Sequence, residues 1–153
     1  MKQRPSARLL LLNANKCVLL IKFEHTPGLL AGQTFWATPG GALKAGESFQ
    51  TSAKRELMEE VGIYRDEVGV QVAQRSATFR VPDGEMVEAD ERYFLVHADD
   101  DLVSDENWTA TEREVMSAHR WWNQADLRSA TEQIWPEDIE NILIEAGEWA
   151  AAD

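Results

Sequence analysis

The chain has a single cysteine, Cys17, and no long apolar run. One cysteine excludes an internal disulfide framework. Cys17 lies in an apolar stretch and is expected to be a buried structural thiol, which points to a cytoplasmic location. The longest apolar runs, Leu9–Leu12 and Cys17–Ile21, fall far short of the roughly 20 residues needed to cross a membrane. Asn13, Asn15 and Lys16 interrupt the apolar stretch behind Met1-Lys2-Gln3-Arg4-Pro5, so no secretory signal is expected. Asn107-Trp108-Thr109 therefore carries no meaning as a glycosylation acceptor. Cations are scarce: 15 Lys and Arg face 27 Asp and Glu, a net charge of −12. That balance disfavours a nucleic-acid polymer as partner, because phosphate contacts need clustered basic residues. The excess acid has three readings: solubility, charge on loops and tails, or carboxylates assembled around divalent cations. Only positions can choose among them. Repeats and low-complexity linkers are missing too, and 153 residues with 44% hydrophobic content suit one globular domain over 1–153.

Ala7–Leu12 and Cys17–Phe23 are β-like runs around Asn13-Ala14-Asn15-Lys16 and predict a hairpin. Residues 24–34, with Pro27, Gly28 and Gly32, read as a loop. Phe35-Trp36-Ala37 predicts a short strand ending at Thr38-Pro39-Gly40-Gly41, and Ser48–Val61 a helix stopped by Gly62. Val68–Val81 and Glu85–Ala98 read as strands about Pro82-Asp83-Gly84, the second with both faces partly covered. Asp99–Asn107 is an acidic loop without the glycine and acid spacing of an EF-hand. Thr109–His119 predicts a short helix, capped by Thr109 with Glu112 or Thr111 with Glu114. Arg120-Trp121-Trp122 reads as a strand with at most one tryptophan facing the core. Pro136 starts a C-terminal helix whose Ile139, Ile142, Leu143, Ala146 and Trp149 share one face. The element order predicts an α+β fold, an α/β/α sandwich about a mixed sheet.

The chemistry concentrates in one helix. Glu56, Glu59 and Glu60 stand at i, i+3 and i+4, a spacing that puts three carboxylates on one helical face. Each like-charged pair there costs roughly 0.2–0.5 kcal/mol when exposed. Hard divalent cations, which take oxygen ligands, would reverse that cost. The plainer alternative is a solvated acidic face. Ala53, Leu57 and Val61 form a second stripe that can bury against a sheet. Gly40, Gly41 and Gly46 permit tight turns ahead of the helix, and Arg55 can pair with Glu47 or orient a helix glutamate.

Residues 41–63 resemble the Nudix box, G-x5-E-x7-R-E-U-x-E-E-x-G-U with U aliphatic. Gly41, Glu47, Arg55, Glu56, Leu57, Glu59, Glu60, Gly62 and Ile63 fill every specified position. The seven fixed letters coincide by chance on the order of 10⁻⁸ to 10⁻⁹ times per starting point. The resemblance implies the Nudix sandwich with a catalytic loop-helix-loop and Mg²⁺-dependent cleavage of a pyrophosphate bond, with Mn²⁺ as a substitute ion. It implies Glu56, Glu59, Glu60 and the Gly40 carbonyl as metal ligands, with Glu47 and Arg55 in support. Gly41 and Trp36 are expected at the substrate. Glu59 or Glu60 is the expected general base, with Asp105, Glu106 and Glu112 as candidates from the later loop. His25, His97 and His119 fit no ligand or triad spacing and read as structural or surface residues.

The family branches that act on ADP-ribose, dinucleoside polyphosphates, coenzyme A and NADH carry secondary markers that this chain lacks; Thr78, Phe79, Arg80 and Val81 occupy the region of two of them. A nucleoside triphosphate or a related small nucleotide is therefore the expected substrate. Phe35, Trp36 and Trp108 are aromatic candidates for stacking on a base, although core roles suit Phe35 and Trp36 better. The resemblance leaves a homodimer open. It also leaves a non-catalytic nucleotide-binding or regulatory module, and the acidic helix leaves a surface for a basic partner.

Overall fold

The computed structural model describes residues 1–24, 33–80 and 84–151. Its centre is β1 (Lys2–Leu12), flanked along its whole length by β6 (Met86–His97) in parallel register, Lys2 opposite Val87 through Leu12 opposite His97. The other edge of β1 is shared by β4 (Gly40–Ala42) and the start of β2 (Val18–Phe23), both antiparallel. β2 is in turn lined by β7 (Met116–Trp122), so β1 and β3 (Phe35–Ala37) share its remaining edge. β5 (Gln71–Arg80) closes one side on β6, and β8 (Gln133–Trp135) the other on β3. The result is a mixed eight-stranded sheet. The chain crosses from the edge of β2 to the edge of β1 through Thr38 and Pro39, and this crossing delivers Gly40 and Gly41.

Both faces of β1 are covered, which explains its unbroken leucine run. Ala7, Leu9 and Leu11 face one side with Leu19, Phe94 and Val96, and there meet Ala53, Leu57 and Val61. Those three form the expected apolar stripe of α1 (Phe49–Glu56) and of the π-turn Leu57–Val61 that continues it. Leu10, Leu12, Val18 and Leu20 face the other side with Tyr93 and Trp122, against Ile139, Ile142 and Leu143 of α4 (Ile139–Glu145) and Trp149. Truncating a fully buried leucine such as Leu57 to alanine costs about 2–5 kcal/mol. The α/β/α sandwich is thus the observed architecture. Phe94 and Val96 serve one core, Tyr93 and Leu95 the other, so β6 is covered on both faces as its sequence suggests.

Several expectations need correction. β1 begins at Lys2 rather than Ala7, because β6 supplies partners along its full length. Cys17 is half-buried at the hairpin turn, where its N–H donates to Asn13 Oδ1 at 2.9 Å, and is not a core thiol. The helix expected over Thr109–His119 ends early: α2 is Ala110–Val115, and Met116–His119 pair with β2 as strand. The Thr109–Glu112 capping box forms, and the Thr111 alternative does not. Of the two tryptophans, Trp122 is in the α4-side core, while half-buried Trp121 packs on the α1-side core and donates to the Asp101 carbonyl at 3.1 Å. α3 (Gln124–Arg128) and β8 had no clear sequence signal. Pro27, Gly28 and Gly32, His25, and most of the turn at 81–84 lie outside the described residues. No helix among the described residues is long and apolar enough to cross a membrane.

Candidate active site

Ser48 caps α1 by accepting a hydrogen bond from the Thr51 N–H, and the apolar stripe fixes the helix on the sheet. At Leu57 the helix widens: the Gly62 N–H reaches back to the carbonyls of both Leu57 and Met58, and Gly62 closes the turn with φ 84°. In a wider turn, position i+4 stays near the face of i while i+3 falls further off it. Glu60 accordingly stays with Glu56, and Glu59 swings aside. Met58 and the exposed side of the turn are then tied to the following loop, whose Ser104 N–H donates to Val61 O at 2.8 Å. Trp108 Nε1 donates to the Glu60 carbonyl at 2.8 Å, which brings α2 alongside.

This docking places Glu112 with Glu56 and Glu60: one carboxylate oxygen from each lies within 4.8 Å of the others. Glu60 is 3% exposed and Glu56 7%. Three carboxylates this close in a dry setting repel strongly unless protons or a cation stand among them. Burial, and then the charge of Glu56, raise the Glu60 pKa well above the ordinary carboxylate range. Burial also raises that of Glu56, opposed by Arg55. The Gly40 N–H donates to both Glu60 oxygens at 3.3 Å. A Cβ at Gly41 would stand 2.8 Å from Glu56 Oε1, so any larger residue there would push that carboxylate from its place. At Gly40 a Cβ would meet the Ala7 carbonyl at 2.2 Å, and φ there is 138°. Gly40 is a consequence of the box loop lying flat against β1, and Gly41 of the Glu56 carboxylate lying over it. An all-oxygen group of convergent, partly desolvated acids fits a hard divalent cation.

Arg55 organises the other half of the site. Its Nε and Nη2 grip Glu47 at 2.7 and 2.9 Å, a two-point contact. Its Nη1 bonds Glu56 Oε1 at 3.0 Å and Glu59 Oε2 at 3.1 Å, and Nη2 also reaches the Ala42 carbonyl at 3.2 Å. The Arg55 hydrogen bonds lower the Glu47 pKa to about 2. Glu47 further accepts from the Lys44 N–H at 2.7 Å, which ties the loop to the helix. Glu59 thus stands across one guanidinium from Glu56, more exposed than the other two box acids.

The structure therefore brings together Glu56, Glu60, Gly40 and Gly41, with Glu47, Arg55 and Glu59 linked to them by one arginine. It adds Glu112, a candidate only for the base in the sequence. Asp105 instead pairs with Arg113, at 3.4 Å, and Glu106 is exposed. Trp36 is not brought to the acids. It is buried in the α4-side core, edge-on to Trp122, with its Nε1 donating to Glu132 at 2.9 Å. Phe35 stacks on Phe23 at 5.3 Å, and His97 pairs with Glu148 at 2.5 Å. Trp108 borders a cavity of about 440 Å³ that Arg113, Met116 and His119 also line. Two residues that sequence reasoning missed are Arg8 and Glu91. Arg8 Nε donates to Glu91 at 2.5 Å and Nη1 to the Gly40 carbonyl at 3.1 Å. The signal was a charge inside a buried apolar strand, where an unpaired arginine would not persist.

The NUDIX domain model matches residues 2–142. The chain belongs to the Nudix family, and as an enzyme it is a Nudix-type pyrophosphohydrolase. Its fold is shared with a MutT protein from Methanosarcina mazei Go1, at 20% identity over 96% of this chain and 95% of that one, with a TM-score of 0.66. A MutT NUDIX hydrolase from Burkholderia pseudomallei aligns at 21% identity over 95% and 98% of the two chains, TM-score 0.64. The NUDIX domain of Shewanella oneidensis NrtR, solved with ADP ribose, aligns at 18% identity over 97% and 88%, TM-score 0.65. No curated protein matches the chain.

Proposed function

We propose that this protein hydrolyses a pyrophosphate bond in a nucleoside triphosphate or a related small nucleotide, with Mg²⁺, and that residues 1–153 act as one cytoplasmic domain. The observation that carries this reading is the convergence of Glu56, Glu60 and Glu112 in a desolvated group beside the Gly40–Gly41 loop. Glu56, Glu60 and Glu112 would hold the cation, with Glu59 joining from the more exposed side. Bound there, Mg²⁺ supplies charge neutralisation of the pyrophosphate oxygens and a lowered pKa for a bound water.

The remaining work falls to the chain itself. Arg55 holds Glu56 and Glu59 in place while Glu47 holds Arg55, so the acids do not have to reorganise when substrate arrives. Arg8 donates to the Gly40 carbonyl, and the N–H of the same residue donates to Glu60. Glu60 has the strongest claim to take the proton of the attacking water. Burial and the neighbouring Glu56 raise its pKa above the ordinary carboxylate range, and the Gly40 N–H holds its carboxylate in place. Absent branch markers support a triphosphate over the conjugated nucleotides.

A panel of nucleoside triphosphates and nucleotide conjugates with Mg²⁺, read by release of phosphate or pyrophosphate, tests this. Turnover abolished by EDTA is the expected result. Stabilisation by a nucleotide without any turnover would instead establish a binding module.

A further inference from the structure

Arg4, Ser6 and Arg8 occupy alternate positions of β1 and so share a face, the one that carries Leu10 and Leu12 toward α4. Arg8 is fully engaged by Glu91 and the Gly40 carbonyl. Arg4 is half-buried, yet among the described residues its guanidinium has no hydrogen bond and no ion pair. It lies close enough to feel repulsion from Arg8 and attraction from Glu91 and Glu56. Between the two arginines, the Ser6 hydroxyl is sealed from solvent without a hydrogen-bond partner. A partly desolvated guanidinium is unfavourable without an anion beside it. Burial, and next the charge of Arg8, hold its pKa below the ordinary value, which an anionic ligand would reverse. In a chain of net charge −12, a guanidinium that has no partner and lies close enough to Glu56 to feel its charge stands out.

We propose that Arg4 contacts the substrate directly, its guanidinium taking phosphoryl oxygens of the nucleotide's phosphate chain on the α4 side of the acid group. This rests on the hydrolase reading and adds a residue to it. A guanidinium matches two phosphoryl oxygens at once, which an ammonium does not. Arg8 acts only behind it, as a positioning residue held away from the ligand by Glu91.

The test compares wild type, Arg4→Gln, Arg4→Lys and Arg75→Gln. Arg75 is a control: it sits on β5, and its guanidinium is already paired with Asp138 at 2.7 Å. For a nucleotide that wild type turns over, Arg4→Gln should raise KM about tenfold, with kcat within about twofold and Mn²⁺ affinity unchanged. Arg4→Lys should recover part of the loss, and Arg75→Gln should match wild type. Binding of inorganic tripolyphosphate with Mg²⁺, by calorimetry, should weaken about tenfold in Arg4→Gln. Unchanged KM and unchanged tripolyphosphate affinity would overturn the proposal. So would a joint loss of kcat and thermal stability that lysine fails to repair. If wild type turns over no nucleotide, the hydrolase reading falls by itself. Tripolyphosphate then decides the proposal: weaker binding by Arg4→Gln upholds it, while equal binding, or none by wild type, overturns it.

Discussion

Two acidic regions of this molecule look alike on paper and behave oppositely. Asp99, Asp100 and Asp101 are consecutive and exposed; Asp99 is 89% exposed at its side chain and pairs with Arg65 at 3.2 Å. Glu56 and Glu60 share one helical face and Glu112 comes from a later element, yet the three converge within 4.8 Å in a site where two of them are nearly sealed. Water solvates the first group at little cost. The second is held together against its own repulsion by α1, the π-turn and the capped α2. Burial, not acid count, separates a solvated loop from a candidate cation site.

The sharpest way to break that comparison is Glu60→Gln. Turnover should fall by about 10³-fold or more, a change of roughly 4 kcal/mol in transition-state binding, with the fold intact by circular dichroism. Near-wild-type activity would put Glu60 on the same footing as the aspartates. Arg55→Ala should come next, lowering kcat/KM by about 10–100-fold, the usual size for residues that orient metal ligands. If it left activity intact, the grip on Glu47, Glu56 and Glu59 would be only structural decoration.

A third expectation concerns stability. Folded Glu60 keeps its proton to higher pH than the same residue in the unfolded chain, so the folded state binds more protons in that window. Stability therefore falls as pH rises above the ordinary carboxylate pKa of 4.5 and through the raised value. Glu60→Gln removes that loss. In EDTA at pH 8 its Tm should exceed wild type by about 2–4 °C, the shift about 1 kcal/mol produces in a chain this long, and the gap should shrink below pH 4.5. A variant less stable than wild type at pH 8 would mean the acids are not in conflict. The smallest effect should come from Asp99, Asp100 and Asp101 changed together to Asn. Activity and Tm should stay within about twofold and about 1 °C, since exposed charges contribute little.

The box was legible because its chemistry is local: caps, glycines and the i, i+4 acids are set by backbone geometry within one segment. The leucine run of β1 and the alternation in β6 likewise declared strands with two covered faces. The hidden part is tertiary. Nothing near Glu112 shows that the Trp108 indole will dock on the Glu60 carbonyl and carry α2 to the acids. The π-turn is hidden as well, since α-helical spacing put Glu59 beside Glu60, and the wider turn gives Glu59 to Arg55 instead. Met116–His119 followed good helix signals into strand because the edge of β2 was open to them. Arg8 inside an apolar strand was a visible anomaly, but its partner Glu91 lies in another strand.

The most direct measurement is a Mn²⁺ titration, followed by water-proton relaxation, of wild type, Glu60→Gln, Glu112→Gln and the Asp99–Asp101 triple asparagine variant. A shared site of Glu56, Glu60 and Glu112 requires uptake by wild type and the triple variant alike, with binding weakened about tenfold or more in each glutamine variant. Equal Mn²⁺ uptake by all four proteins, or uptake lost only with the aspartates, would contradict it.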